Sequence, residues 1–129
     1  MNIVDTNVLV RHLTRDPPDQ AERATRRLES EEELFCPDVV LAELLHVLRS
    51  RYRRSRTESA AAARSVLGLE NLVFTDDSLL VRATDVYEEF RIGFPDAYLV
   101  ALAEREGIRK IVSFDKDFDK IPGIERVEP

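Results

Sequence analysis

The chain has 129 residues, of which 43% are apolar and 34% charged, and its formal net charge is −6. This length suits one domain, and the composition excludes the disordered and low-complexity classes. The acidic balance argues against a passive nucleic-acid binder, which usually has a basic surface. No apolar run approaches the roughly 18 residues of a membrane span, and strand-like residues begin almost at Met1, so we expect no signal peptide. We therefore expect a single cytoplasmic domain over residues 1–129.

The first half of the chain alternates short apolar runs with segments of helical periodicity. The opening run Asn2 to Val4 is typical of a buried strand, and the polar triplet Asp5 to Asn7 suits the start of a helix. Pro17-Pro18 ends the first helical segment and precedes the second. Pro37-Asp38 begins a helix that is apolar around most of its circumference. These patterns predict strands over residues 2–4 and 34–36, and helices over residues 8–13, 20–28, 38–48 and 57–69.

The second half continues the alternation. Asp76 to Ser78 offers a cap for a helix that extends to Phe90. Pro95 suits the first turn of the next helix, and Gly107 suits its end. The patterns predict helices over residues 79–90 and 96–106, and strands over residues 72–74, 110–113 and, more weakly, 125–127. Strands that alternate with helices indicate an α/β fold with a central parallel sheet covered by helices on both faces.

The single cysteine and a run of arginines allow limited conclusions. Cys36 has no second cysteine to pair with and no clustered histidine beside it, so we expect a small buried apolar residue.

The arginines could bind RNA phosphates through their planar donors, or could simply form the solvated end of a helix, and the sequence leaves both interpretations open. The run consists of Arg49, Arg51, Arg53, Arg54 and Arg56.

Two acids follow predicted strands. Asp5 comes directly after the first strand, and Asp115 comes two residues after Ser113. In open parallel sheets, ligands bind beyond the carboxyl ends of the strands. For each acid alone, an ordinary helix cap or turn residue is the simpler interpretation, but the pair together favours a shared site.

Two further acids lie within predicted helices. Glu43 is flanked by Leu41, Ala42 and Leu44, where a carboxylate is costly unless it meets a cation or donors. Alternatively, Glu43 belongs to a polar helical stripe that faces water. Asp96 lies in a first helical turn, where an acid complements the helix dipole without any further role. The local sequence around Glu43 and Asp96 therefore does not decide whether either acid is a metal ligand.

The residue types narrow the chemistry. Oxygen ligands without histidine or cysteine select hard cations, so the metal would be Mg²⁺ or Mn²⁺. Such ions held by several carboxylates suit hydrolysis of a phosphodiester. The two histidines, His12 and His46, neighbour no nucleophile motif, and no Gly-rich phosphate loop is present. A phosphorylated receiver domain needs an Asp after a central strand and a pair of acids early in the chain, and this sequence lacks that combination.

The motifs in order resemble those of the PIN-domain ribonucleases, and in particular the VapC-type toxins of toxin–antitoxin pairs. The resemblance covers nearly the whole chain, and motif order and spacing are kept. It rests on residues 3–9 (IVDTNVL), 41–44 (LAEL), 94–103 (FPDAYLVALA) and 113–118 (SFDKDF).

The resemblance implies a fold, a reaction and a site. The fold would be a PIN-like three-layer α/β/α sandwich with a central parallel sheet of four to five strands. The activity would be that of a metal-dependent endoribonuclease, in which one or two Mg²⁺ or Mn²⁺ ions activate water against an RNA phosphodiester. The implied catalytic and metal-binding acids are Asp5, Glu43, Asp96 and Asp115, with Asp117 as a further metal ligand and with Thr6, Asn7 and Ser113 as supporting donors.

The resemblance also implies partners, namely an RNA substrate, a small antitoxin protein and a second copy of the chain in a homodimer. The antitoxin would place an amphipathic segment in an apolar groove.

Two alternatives stay open: an RNA-processing PIN nuclease without an antitoxin, and a non-catalytic RNA- or protein-binding PIN module. A binding module would be free to lose acids, whereas here all four acidic positions are filled.

Overall fold

The structure is a computed structural model that describes residues 1–129. Its elements in chain order are β1 (Asn2–Ile3), α1 (Thr6–Thr14), α2 (Pro18–Leu28), β2 (Leu34–Phe35), α3 (Asp38–Ser50), α4 (Arg56–Leu67), β3 (Leu72–Val73), α5 (Asp77–Phe90), α6 (Phe94–Glu106), β4 (Lys110–Val112), a 3-10 helix (Lys116–Lys120) and β5 (Glu125–Val127). Every predicted helix and strand is present, but Asn2 and Ile3 of β1 are exposed, where the sequence predicted a buried strand. The 3-10 helix was not predicted. None of the helices has the length and the hydropathy of a membrane-spanning segment.

The chain divides into two compact units, Met1–Asp77 and Ser78–Pro129. In the first unit, β1, β2 and β3 form a parallel sheet in that order, with Asn2 opposite Leu34 and Leu34 opposite Leu72. In the second unit, β4 pairs in parallel with β5, and Lys110 lies opposite Glu125. The parallel α/β class is confirmed. The hydrogen bonds group the five strands as three and two, where the sequence predicted one sheet of four to five.

Backbone pairing extends one residue past the strands. The amides of Val4, Cys36 and Ser113 donate to carbonyl oxygens of the neighbouring strands at 2.9, 2.8 and 3.0 Å. Short strands of two or three residues therefore keep the ladder contacts that the longer predicted strands imply. The residues that follow β1 and β4 leave the sheet directly into the turns that contain Asp5 and Asp115.

The core of the first unit lies beneath α3, where Leu41, Leu44, Leu45 and Leu48 are almost fully buried. Helices α1 and α2 contribute Leu9 and other apolar side chains at helical spacing, which hold the two helices together. Cys36 is fully buried, as predicted. Burial, together with the nearby charge of Asp38, raises the pKa of the Cys36 thiol to about 12, so the residue is an inert apolar side chain.

In the second unit, α6 begins at Phe94 with Pro95 in its first turn and ends at Gly107. Gly107 adopts a left-handed conformation with φ of 68°, which glycine reaches without steric cost. Arg82 on α5 donates two hydrogen bonds to the Glu104 carboxylate on α6, at 2.9 and 3.0 Å. The bidentate pair fixes the two helices against each other and lowers the pKa of Glu104.

His12 on α1 contacts Thr25 on α2, and its surroundings predict a pH-dependent stability. Its Nδ1 is 2.7 Å from the Thr25 hydroxyl, to which Arg15 donates at 2.8 Å. Burial and the Arg15 charge lower the His12 pKa below its ordinary value of 6.5, while Glu29 acts in the opposite direction. The folded state therefore resists a proton that the unfolded chain accepts. We expect the free energy of unfolding to decrease as the pH falls from 6.5 through the folded-state pKa.

Urea denaturation at several pH values measures this effect in the native chain, in His12→Gln and in His46→Gln. His46 is an exposed histidine on α3 and serves as the matched control. The decrease below pH 6.5 should become smaller in His12→Gln and stay unchanged in His46→Gln. An identical pH dependence in all three proteins would show that His12 does not cause it.

Candidate metal centre

Three carboxylates of the second unit lie close together. Asp96, Asp115 and Asp117 each offer one oxygen, and these oxygens all lie within 4.8 Å of one another. Asp96 and Asp117 are partly buried, and Asp115 is exposed. Like charges at this separation repel one another strongly unless a cation or a proton lies between them. The structure thus brings together two of the four predicted catalytic acids and the further acid, Asp117.

Local structure sets the position of each carboxylate. Asp96 is the third residue of α6, in the first turn, where the helix dipole favours negative charge. Asp115 caps the 3-10 helix and accepts a hydrogen bond from the amide of Asp117 at 2.9 Å. The Ser113 hydroxyl accepts from the amide of Asp115, also at 2.9 Å. Ser113 therefore supports the turn that carries the acids, and it contacts the Asp115 backbone and not its carboxylate.

A buried anchor holds the 3-10 helix in place. Phe118 is 2% exposed, and Ile121 directly after the helix is 4% exposed. Phe118 follows Asp117 immediately, so its packing determines where Asp117 and Asp115 lie. On the other side, Arg126 donates to the Ser113 carbonyl at 3.2 Å and to the Asp119 carboxylate at 3.0 and 3.3 Å. The turn is thus fixed by packing from one side and by hydrogen bonds from the other.

The electrostatics of the group favour a cation. Partial burial raises the pKa of Asp96, and the charges of Asp115 and Asp117 and a hydrogen bond with Asp115 raise it further. Lys120 lies 3.2 Å from an Asp117 oxygen and offsets part of the negative charge. The donor set consists of carboxylate oxygens, which suit Mg²⁺ or Mn²⁺ and not zinc or copper. The residues present therefore fit a hard divalent cation.

The other predicted acids lie in the first unit. Asp5 occupies the N-cap position of α1, but its exposed side chain makes no capping hydrogen bond. The interpretation of Asp5 as an ordinary capping residue therefore has no hydrogen bond to support it. Glu43 accepts a hydrogen bond from the buried Thr6 hydroxyl at 2.9 Å. The predicted supporting residue Thr6 thus contacts a predicted ligand, and Asn7 is exposed beside it on α1.

Glu43 is exposed, which also agrees with the alternative interpretation that it belongs to a polar stripe of α3 facing water. Glu43, His46, Ser50 and Arg53 are all exposed along one side of α3 and the turn after it. The apolar neighbours of Glu43 point inward, so its carboxylate is not buried among them. The hydrogen bond from Thr6 is the feature that separates Glu43 from the rest of this stripe.

The arginine run lies at the end of α3 and the start of α4. Arg51, Arg53 and Arg54 are exposed, and Arg53 has a left-handed backbone with φ of 52°. Arg49 donates to the carbonyl of Arg54 at 3.2 Å, so it stabilises the turn between the helices. Arg56 begins α4. A role for this run in RNA binding stays a prediction.

Sequence reasoning did not find two contributors to the second-unit group. Lys120 pairs with Asp117 three residues earlier, and Arg126 lies on β5, which was the weakest predicted strand. A helix-spaced Asp–Lys pair is a usable signal once the 3-10 helix is known. Arg126 offers no such signal, because its contacts depend on the pairing of β4 with β5.

The comparisons with a family model and with a curated relative agree with the motifs. The family model of the PIN domain matches residues 3–124. The chain is 26% identical over 132 residues to a VapC ribonuclease from Aquifex aeolicus, and the alignment covers 100% of this chain and 97% of that protein. A toxin–antitoxin complex from Klebsiella pneumoniae is 20% identical, with 97% of this chain and 96% of that chain covered and a TM-score of 0.36. The family model spans most of the sequence, from the first strand to the turn before the last strand, so the chain belongs to the PIN domain family.

Proposed function

We propose that the protein is a Mg²⁺- or Mn²⁺-dependent endoribonuclease that hydrolyses RNA phosphodiesters. The observation that carries the proposal is the group of Asp96, Asp115 and Asp117, whose oxygens lie within 4.8 Å of one another in a chain of the PIN domain family. The VapC ribonuclease to which the chain is similar aligns over nearly its full length, which supports the same activity here.

The acids of both units contribute to the reaction in this proposal. Asp96, Asp115 and Asp117 are the proposed metal ligands of the second unit, and Asp5 and Glu43 are the proposed metal ligands of the first unit. Thr6 orients the Glu43 carboxylate by its hydrogen bond. Ser113 and Phe118 keep the Asp115 turn in a fixed position. Both units then belong to one PIN domain, as the family match over residues 3–124 supports.

A divalent cation held by Asp96, Asp115 and Asp117 would activate water and would offset the charge of the phosphodiester. The protein residues fix the geometry around that chemistry. The oxygens of the carboxylates lie within 4.8 Å of one another, so little reorganisation is needed to hold a cation. Single-stranded or looped RNA is the expected substrate, since unpaired segments leave the backbone accessible.

We also propose that the protein is the cytoplasmic toxin of a toxin–antitoxin pair, that a small antitoxin protein inhibits it and that it forms a homodimer. Similarity to the VapC ribonuclease supports this role. Light scattering during size exclusion tests the homodimer directly, since the monomer mass is 14.8 kDa. A mass of one chain at micromolar concentration would contradict it.

The nuclease proposal is tested by incubating a panel of structured RNAs with the purified chain in Mg²⁺, in Mn²⁺ and in EDTA, beside Asp5→Asn. We expect cleavage in either metal, none in EDTA, and a loss of cleavage in Asp5→Asn. Cleavage that persists in EDTA, or an Asp5→Asn variant as active as the native chain, would contradict the proposed site. Absence of all cleavage by inhibitor-free protein would favour the binding module.

The contact between Thr6 and Glu43 gives a sharper prediction. Thr6→Val keeps the shape of the buried side chain but removes the hydroxyl that donates to Glu43. We expect the affinity for Mn²⁺ during cleavage to fall roughly 10- to 100-fold, since partners that orient a ligand contribute about this much. Thr6→Ser retains the hydroxyl and should stay close to native. The concentration of Mn²⁺ at half-maximal cleavage measures the difference, and equal values for Val and Ser variants would exclude the orienting role.

A further inference from the structure

A basic groove crosses the surface between α1 and α2. Its volume is about 490 Å³, and three arginines line it, Arg11 on α1 and Arg23 and Arg27 on α2. The remaining lining residues are polar or apolar, and no acid is among them. In a chain with a net charge of −6, a groove with three positive charges and no negative one is a local exception.

The neighbouring grooves of the first unit do not share this property. The groove on the other side of α2 contains Arg15 and Arg26, but Glu22 and Glu29 line it as well. A third groove, near Gly68, is lined by four glutamates and no basic residue. The charge of the groove between α1 and α2 is therefore specific to that place and does not reflect an even spread of arginines.

The arginines of the groove are available to a ligand to different degrees. Arg23 is exposed and has no ion pair or hydrogen bond with another residue. Arg11 donates to the neutral Gln20 at 2.9 Å and has no acidic partner. Arg27 pairs with Glu32 at 3.0 Å, so its charge is partly offset. Arg23 and Arg11 thus keep donors for an anion, and Arg23 is the more accessible of the two.

The position of the groove connects it to the proposed chemistry. Asn7 lines the groove, and it lies two residues after Asp5 and one turn before Arg11 on α1. Val8 and Ala24 also line the groove, so it offers apolar surface beside the charges. Along α1, the lining residues Arg11, Val8 and Asn7 follow one another toward Asp5, which is the N-cap residue of the helix.

We propose that this groove binds the phosphate backbone of the single-stranded RNA substrate and leads it to Asp5, an inference that rests on the proposed nuclease function. Arginine donors match phosphate oxygens, and the exposed, unpaired Arg23 loses no internal partner on binding. The apolar surface can accept ribose or base faces beside the backbone. The groove is thus a second candidate RNA contact, separate from the arginine run between α3 and α4.

The test measures binding of a fluorescently labelled 12-nucleotide oligouridylate to the full chain in EDTA, where cleavage is prevented. Arg23→Gln should weaken binding roughly three- to tenfold and make the salt dependence of log K shallower by about 0.7. Arg26→Gln is the matched control, because it removes the same charge from the same helix, from a residue already paired with Glu22 at 2.8 Å. Arg26→Gln should bind as the native chain does.

Binding by Arg23→Gln equal to that of Arg26→Gln would overturn the proposal. So would a result in which Arg23→Gln weakens binding of a deca-glutamate peptide but not of the RNA, since the groove would then serve an acidic protein segment. Thermal unfolding of both variants checks that they are folded. Cleavage in Mn²⁺ separates the two proposals: RNA bound through Arg23 but never cut contradicts only the nuclease, and normal cleavage without any effect of Arg23 contradicts only the groove.

Discussion

Replacing Asp96 with Asn should reduce metal-dependent RNA cleavage at least about 100-fold. Asp96 is the member of the acidic group whose pKa is raised by burial and by the charges of Asp115 and Asp117, so it experiences the field that a cation would relieve. The substitution keeps the size of the side chain and removes the negative charge. Initial rates at saturating Mn²⁺ and RNA measure the effect.

A stability measurement separates this loss from misfolding. Without metal, Asp96→Asn should unfold at the same temperature as the native chain or higher, because repulsion within the group decreases. With Mn²⁺ at about 100 times its Kd, the native chain should gain about 2.7 kcal/mol of unfolding free energy, and the variant should gain much less. Glu106→Gln, at the exposed far end of the same helix, is the matched control and should behave as native. Full activity in Asp96→Asn would remove the basis of the assigned centre.

The second large effect is expected at Phe118. Phe118→Ala should lower the free energy of unfolding by about 3–5 kcal/mol, because the side chain is 2% exposed and leaves a cavity when it is removed. Since Phe118 adjoins Asp117 in the 3-10 helix, the same change should also weaken Mn²⁺ binding. Urea denaturation and a Mn²⁺ titration of the folded variant measure the two consequences.

Phe114 provides the comparison. It is the same residue type on the same turn, four residues earlier, but it is 72% exposed. Phe114→Ala should change the free energy of unfolding by no more than about 0.5 kcal/mol. Similar losses in the two variants would show that Phe118 does not anchor the turn as its burial indicates.

The elements of the fold were predictable because they depend on local chemistry. Helix boundaries are marked by the prolines near the starts of α2, α3 and α6 and by Gly107 at the end of α6. Proline favours the first turn of a helix and glycine its end, so these boundaries can be read from the sequence. The pairing of the strands was not predictable in the same way. Strands of two or three residues carry too few side chains to specify their partners, and the hydrogen bonds group them as three and two.

The candidate site was predictable in its residues and only partly in its geometry. Asp96 and Asp115 each had an ordinary helical or turn interpretation, and only the motif order brought them together before the structure did. Asp117 had the least support from sequence, because its place depends on a 3-10 helix that has no periodic signal. The basic groove could not be predicted, since its arginines come from two helices whose packing sets the spacing.

The most direct test of the central claim is a Mn²⁺ titration of the EDTA-stripped native chain and of Asp115→Asn, followed by the electron paramagnetic resonance signal of the unbound ion. The native chain should bind one or two Mn²⁺ ions, and Asp115→Asn should bind at least about tenfold more weakly, because it removes a ligand from the group with Asp96 and Asp117. Equal binding by the two proteins, or no binding by the native chain, would contradict the assignment of these carboxylates as the metal centre of a ribonuclease.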